Sequence, residues 1–211
     1  MAANEISSGG PLAPFAGQPI KGPEWFEQAV AAPAESEWVE CAGARIHYLR
    51  WGSRKRPGLL LVHGNGAHAY WWSYIAPFLA RDYNVAAMDL SGMGDSDHRP
   101  NYTMDIFVEE QLAVARHAGM FDQEEPPVVV AHSFGGFVTI LTGALHGGKL
   151  AGTVIVDSPV NPPDRPHGPP RREIRPHRIY PTLTEALARF RLAPEQPCDN
   201  GYIVDFIART P

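Results

Sequence analysis

Ser133 closes the run Val128-Val129-Val130-Ala131-His132, with Ala131 two residues before it and Gly135-Gly136 just beyond it. An apolar run of that length, rich in β-branched residues, reads as a strand buried on both faces. Residues 137–146 have a helix-compatible composition. A strand that becomes a helix within two or three residues leaves the serine on a strained, exposed corner. Small residues on either side let neighbouring backbone pass without a β-carbon clash. A serine hydroxyl is a weak nucleophile at neutral pH. It needs a base to take its proton, a third group to orient that base, and hydrogen-bond donors for the oxyanion that forms. Small-x-Ser-x-Gly at a strand–helix corner therefore makes Ser133 the candidate nucleophile.

The donors can be nominated from position. The Phe134 N–H opens the helix after the serine, where amides have no intrahelical partner and the dipole favours negative charge. A second N–H is expected from the glycine-rich turn His63-Gly64-Asn65-Gly66, with Asn65 as the residue. The base is harder to place. His146 lies thirteen residues beyond Ser133 along the helix, or about 20 Å at 1.5 Å per residue, which excludes it. His167 and His177 sit in a proline-rich stretch that offers a base little rigid support. His132 adjoins the serine, but successive strand residues point to opposite sides. His63 ends a buried strand, and a packing or hydrogen-bonding role beside the glycine turn suits it better than catalysis. Asp157 has two readings: an acid that orients a base, or a strand-end aspartate capping the next turn, and the second carries more weight.

The elements that must position these groups alternate in type. Residues 38–41 and 45–51 read as a β-hairpin around Ala42-Gly43, and 58–63 as a fully apolar strand. An aromatic helix is expected over 70–80, a strand over 83–90, a helix over 104–118, and strands over 128–132 and 152–157. Beyond Asp157, the prolines at 159, 162, 163, 166, 169, 170 and 176 break regular structure, and 182–190 and 202–209 then read as two short helices. The expected fold is α/β: a mostly parallel sheet with flanking helices, N-terminal hairpin strands and a partial helical cap. Residues 1–36 read as an N-terminal extension, 37–158 as the core, and 159–211 as a Pro-rich, partly helical cap segment.

Four motifs in this order, the hairpin, L-L-L-V-H-G-N-G at 59–66, D-L-S-G-M-G-D-S at 89–96 and A-H-S-F-G-G at 131–136, resemble the α/β-hydrolase superfamily. V-I-V-D at 154–157 agrees with them. Ala131 departs from the more usual glycine but is small enough for the corner. The resemblance implies acyl transfer to water through a covalent serine ester. Serine at 133, rather than aspartate, points to esterase, lipase, amidase or carbon–carbon hydrolase branches, away from dehalogenases and epoxide hydrolases. It also implies two further strands carrying the acid and the histidine. The chain is accordingly expected to be truncated within its cap, with acid and base beyond residue 211 and weak or no activity by itself.

Composition bounds the alternatives. With 211 residues, 44% of them apolar, and a net charge of −5, the chain has a core but no basic field for nucleic acid. No apolar run approaches the roughly 18–20 residues of a membrane span, and the first 21 residues lack a signal-peptide pattern, so a cytoplasmic location is expected. Cys41 and Cys198 read as ordinary thiols, and Asp95 and Asp97 as loop residues; neither a metal nor a cofactor is expected. The expected partner is a small, ester-like molecule with a hydrophobic acyl group. Two rivals remain. Gly64-x-Gly66-x-x-Ala69 with Asp89 some twenty residues on matches a dinucleotide fingerprint in outline, although His63 and the aromatic run Tyr70-Trp71-Trp72 fit it poorly. A non-catalytic binding protein on the same fold is the other.

Overall fold

The computed structural model describes residues 9–160, 179–192 and 196–210. They fall into two compact units, one built from residues 24–160 and the other from the flanking segments up to 23 and from 161 on.

The larger unit is a six-stranded sheet: β1 (Glu35–Cys41), β2 (Ala44–Trp51), β3 (Gly58–Val62), β4 (Asn84–Met88), β5 (Val128–His132) and β6 (Gly152–Val156). Their order across the sheet is β1-β2-β4-β3-β5-β6. The first two form an antiparallel hairpin and β2 runs antiparallel to β4, while β4, β3, β5 and β6 are mutually parallel. The expected hairpin followed by parallel strands is therefore what forms. Side-chain alternation sorts each buried strand between two cores. Leu60 and Val62 of β3 face one cluster with Ile46, Tyr48 and Met88, and Leu59 and Leu61 face the other with Trp51, Val85 and Ala87. Helices cover both faces, which is why β3 and β4 read as continuous apolar runs with every residue buried.

Helix α1 (Glu24–Val30), not anticipated from the sequence, follows Pro23 and buries Phe26 and Ala29. The stretch expected as one helix over 70–80 is instead a 3-10 turn, Ala69–Trp72, followed by the short helix α2 (Ala76–Leu79). Pro77 explains the break: it has no N–H to give and would clash with the preceding turn, so a helix can only restart around it. Helix α3 (Met104–His117) begins on Thr103, whose Oγ accepts the Ile106 N–H, a cap worth about 1 kcal/mol. Helix α4 (Phe134–His146) starts three residues earlier than composition suggested, because Gly135 and Gly136 lie inside its first turn.

The smaller unit holds two short helices, α5 (Leu183–Arg189) and α6 (Gly201–Arg209). Leu12, Leu187 and Val204 form its apolar centre. The Asp205 carboxylate accepts the Ile20 N–H at 3.1 Å and pairs with Arg209 at 2.9 Å, tying α6 to the N-terminal segment. Two histidines weighed as bases, His167 and His177, lie outside the described residues.

One topological fact places the site. The chain passes from β3 to β4 on one side, then returns to β5 on the other. Connections diverge at the carboxyl ends of β3 and β5, and in open α/β sheets that crevice is where ligands bind.

Candidate active site

Register sets the neighbours. The last β3–β5 pair is Val62 with Ala131, so His63 and His132 follow side by side, and Gly64 and Ser133 come next. On the other side His132 pairs with Val156, and the Ser133 N–H continues the ladder by donating to the Val156 carbonyl at 2.9 Å. Ser133 has φ 50° and ψ −114°. A non-glycine residue in that region costs about 1–3 kcal/mol and persists only when its surroundings over-determine it. The ladder bond and the amides of α4 that converge on its carbonyl each offset about 1 kcal/mol of that. Its Oγ makes no hydrogen bond among the described residues.

Glycines are required here by contact. A β-carbon at Gly135 would lie 2.5 Å from the His63 carbonyl oxygen and 2.8 Å from Val62 Cγ1. One at Gly64 would lie 2.8 Å from His132 Nδ1 and 3.1 Å from Ser133 Cβ. The elbow and the 64–66 turn thus press together over β3, which brings the Gly64–Asn65 peptide against the serine. The Phe134 N–H occupies the first position of α4, where no intrahelical acceptor exists. The two amides nominated as oxyanion donors therefore belong to peptides adjoining Ser133.

His63 is almost wholly buried and does not face the serine as a base. Its Nε2 accepts the Leu90 N–H at 3.1 Å, so Nδ1 carries the proton and donates to the Gly64 carbonyl at 2.7 Å. Burial, the largest influence, holds its pKa below the ordinary histidine range. The imidazole stays neutral in this double contact. The hydrogen-bonding role expected for His63 is the one it plays.

Beside these residues lies a cavity of about 390 Å³, walled by Gly64, Trp71, Trp72, Ile75, His132 and Val156 among others. That volume is at the lower end of small-molecule pockets, and an apolar, aromatic wall with few polar groups is their usual make-up. His132 thus faces the cavity, without a hydrogen bond to Ser133 among the described residues. His146 is the thirteenth and last residue of α4. Asp157 is exposed, has φ 50°, and forms no hydrogen bond or ion pair among the described residues; the side chain that caps this corner is Ser158, through its Oγ.

Asp89 is the acidic residue of the dinucleotide fingerprint, and its surroundings leave it no freedom to bind a ligand. It is fully buried. Oδ1 accepts the Ala69 N–H at 2.6 Å, and Oδ2 accepts His47 Nδ1–H at 2.7 Å and the Asp95 N–H at 3.0 Å. Burial raises its pKa, but these hydrogen bonds outweigh burial and leave it lowered. His47, Asp89 and Asp95 come close enough to suggest a metal site. The Asp89 lone pairs are already engaged by three protein donors and His47 Nε2 meets Ser36 Oγ at 2.9 Å, so the cluster is a structural tie between β2, the end of β4 and the turn at Ala69. Sequence reasoning passed over it, although D-L-S-G-M-G-D-S carried the signal: Gly94 has φ 54° and a β-carbon there would overlap the Asp89 carboxylate.

Comparisons with known proteins address the family and the fold. Residues 59–211 match the model of the family described as "Alpha/beta hydrolase family". Human epoxide hydrolase 4 is 27% identical over 124 residues, covering 57% of this chain and 33% of the relative. Lipase LipV of Mycobacterium tuberculosis is 32% identical over 115 residues, covering 54% of this chain and 42% of the relative. Among solved structures, a membrane phospholipase A described as a novel bacterial virulence factor superposes with a TM-score of 0.58 at 28% identity, over 67% of this chain and 44% of that one. The chain spans between about a quarter and a third of the length of the epoxide hydrolases it matches. No helix among the described residues is long and apolar enough to cross a membrane.

Proposed function

The chain belongs to the alpha/beta hydrolase family, and on that premise we propose that it is a serine hydrolase acting on a small, ester-like molecule with a hydrophobic acyl group. Ser133 is the nucleophile, and the Phe134 and Asn65 N–H groups receive the oxyanion. The observation that carries this reading is the Ser133 backbone: a strained corner at the switch point of the sheet, beside an apolar cavity, with an Oγ that makes no hydrogen bond among the described residues. A residue held at a cost of 1–3 kcal/mol at such a place is a hallmark of function rather than of packing. Serine at this position favours the acyl-transfer chemistry of the lipase-like relatives over that of the epoxide hydrolases.

In this mechanism Ser133 Oγ attacks the acyl carbon, its proton passes to a base, and the carbonyl oxygen takes up negative charge against the two amides. The leaving alcohol departs with a proton, and water then releases the acid. No described histidine hydrogen-bonds to Ser133, and His167 and His177 lie outside the described residues. Without a base at Ser133 the chain would keep only the contribution of the oxyanion hole and binding, and weak hydrolysis is the expected behaviour of the 211 residues by themselves.

Reaction of the purified chain with a fluorophosphonate probe tests this. Slow labelling confined to Ser133 and abolished in Ser133→Ala is expected, with little turnover of simple esters. Labelling that survives Ser133→Ala overturns the nucleophile. Brisk ester hydrolysis that is lost in the variant overturns the claim of weak activity. A second reading, a ligand-binding protein on the hydrolase fold, draws on the lack of a histidine bonded to Ser133 among the described residues, and complete absence of labelling would support it.

A further inference from the structure

Ser158 follows the corner at Asp157, where a φ of 50° turns the chain back after β6. Its Oγ–H donates to the Ser133 carbonyl at 2.8 Å, with the Val156 carbonyl a more distant alternative at 3.3 Å. The approach is possible because position 136 is glycine. A β-carbon there would overlap Ser158 Oγ and come within 2.8 Å of Ser158 Cβ. The second glycine of the elbow thus makes room for this hydroxyl, as the first makes room for β3.

The Ser133 carbonyl and the Phe134 N–H are two ends of one peptide. A trans peptide is planar, so its C=O and N–H point in opposite directions, and holding one aims the other. Two amides of α4 also reach this carbonyl, Gly136 N–H at 3.0 Å and Phe137 N–H at 3.4 Å. Both belong to the helix's own first turn and move with it. Among the described residues Ser158 makes the shortest of the three contacts and brings the only side chain from another element. A hydrogen bond accepted by the carbonyl also polarises the amide, which strengthens its N–H as a donor.

We infer that Ser158 is a positioning residue for the oxyanion hole: its hydroxyl pins the Ser133–Phe134 peptide in the orientation that presents the Phe134 N–H to the developing oxyanion. The same construction recurs on the other side of the site, where His63 holds the carbonyl of the Gly64–Asn65 peptide and so aims the Asn65 N–H. Both candidate donors are then set by a side chain bonded to the far end of their own peptide. This inference rests on the serine-hydrolase reading.

The test combines two measurements on the whole chain. The Phe134 amide resonance in an ¹⁵N-labelled sample reports the peptide directly and needs no chemistry. The second-order rate of fluorophosphonate labelling at Ser133 reports the oxyanion hole. Loss of a complete oxyanion donor costs about 10²–10³ in rate, and a donor that is present but poorly aimed should cost less, about tenfold. Ser158→Ala is expected to shift the Phe134 amide and slow labelling about tenfold with the thermal midpoint little changed, and Ser158→Thr, which keeps the hydroxyl, to restore both. Gly136→Ala, which displaces Ser158 while leaving it intact, should act like Ser158→Ala. An unmoved Phe134 amide in Ser158→Ala overturns the inference, as does unaltered labelling. If the parent chain is never labelled, the serine-hydrolase reading fails and the oxyanion role falls with it. The amide shift then still shows whether the hydroxyl holds the peptide, so the two failures are distinct.

Discussion

His63 donates its Nδ1–H to the carbonyl of Gly64, its immediate neighbour in the chain, at 2.7 Å. The bond runs between adjacent residues, yet it depends on a distant one. Nδ1 carries the proton only because Nε2 is occupied by the Leu90 N–H, from beyond β4. One neutral imidazole therefore couples the end of β4 to the turn that carries Asn65.

Replacing that imidazole leaves the Leu90 N–H and the Gly64 carbonyl without their partner in a buried region. Each such orphan costs about 1–3 kcal/mol. His63→Ala should lose about 3 kcal/mol in urea denaturation, and Ser133 labelling measured well below the unfolding midpoint should slow as the Asn65 peptide loosens.

The same residue predicts a pH dependence. Its pKa is lowered on folding, chiefly by burial and further by His132, with the Gly64 bond and Asp89 opposing. The unfolded chain thus binds a proton first, near the ordinary value of about 6.5. Stability from this group is complete above that pH and is lost as pH falls from there through the lower folded-state value. Urea midpoints between pH 7.5 and 5 should decline more steeply for the parent chain than for His63→Gln. Equal slopes would remove His63 from the account.

Asp89 acts in a lower window. Its lowered pKa means a contribution that is complete above about pH 3.9 and lost only as pH falls towards the folded-state value. Asp89→Ala strips His47, the Ala69 N–H and the Asp95 N–H of their acceptor at once. A loss of about 3–5 kcal/mol is expected at neutral pH, the range seen when one partner of a buried pair is removed. Chemical denaturation checks it.

Two glycines of α4 should respond in opposite senses. Gly135→Ala forces a β-carbon against the His63 carbonyl and Val62 and should cost about 1–3 kcal/mol. Gly143 has open space around its β-carbon position, so Gly143→Ala should stabilise by up to about 1 kcal/mol through helix propensity alone. Thermal midpoints of the two variants decide both.

Much of this architecture was readable in the chain. The apolar runs at 58–62 and 85–88 became central strands buried on both faces, 128–131 became the next strand with alternate residues only half-buried, and the hairpin showed itself by alternation around Ala42-Gly43. What escaped notice has local physical reasons. Pro77 divided a stretch whose aromatic pattern read as one helix, α1 lay among prolines and glycines that mask a short amphipathic segment, and the first turn of α4 contains two glycines whose propensity argues against a helix.

The sequence by itself determined the fold class, the candidate nucleophile and the amides expected beside it. Those follow from short-range chemistry: strand-forming runs, small residues around a serine, and unpaired N–H groups at a helix start. Only the tertiary structure decided which partners His63, Asp89 and Ser158 take. Each acts through a hydrogen bond whose partner is placed by another strand, loop or turn: Leu90 for His63, Ala69 and His47 for Asp89, and the Ser133 carbonyl for Ser158. A histidine, an aspartate and a serine are versatile donors and acceptors, and the sheet's register assigns each its partner.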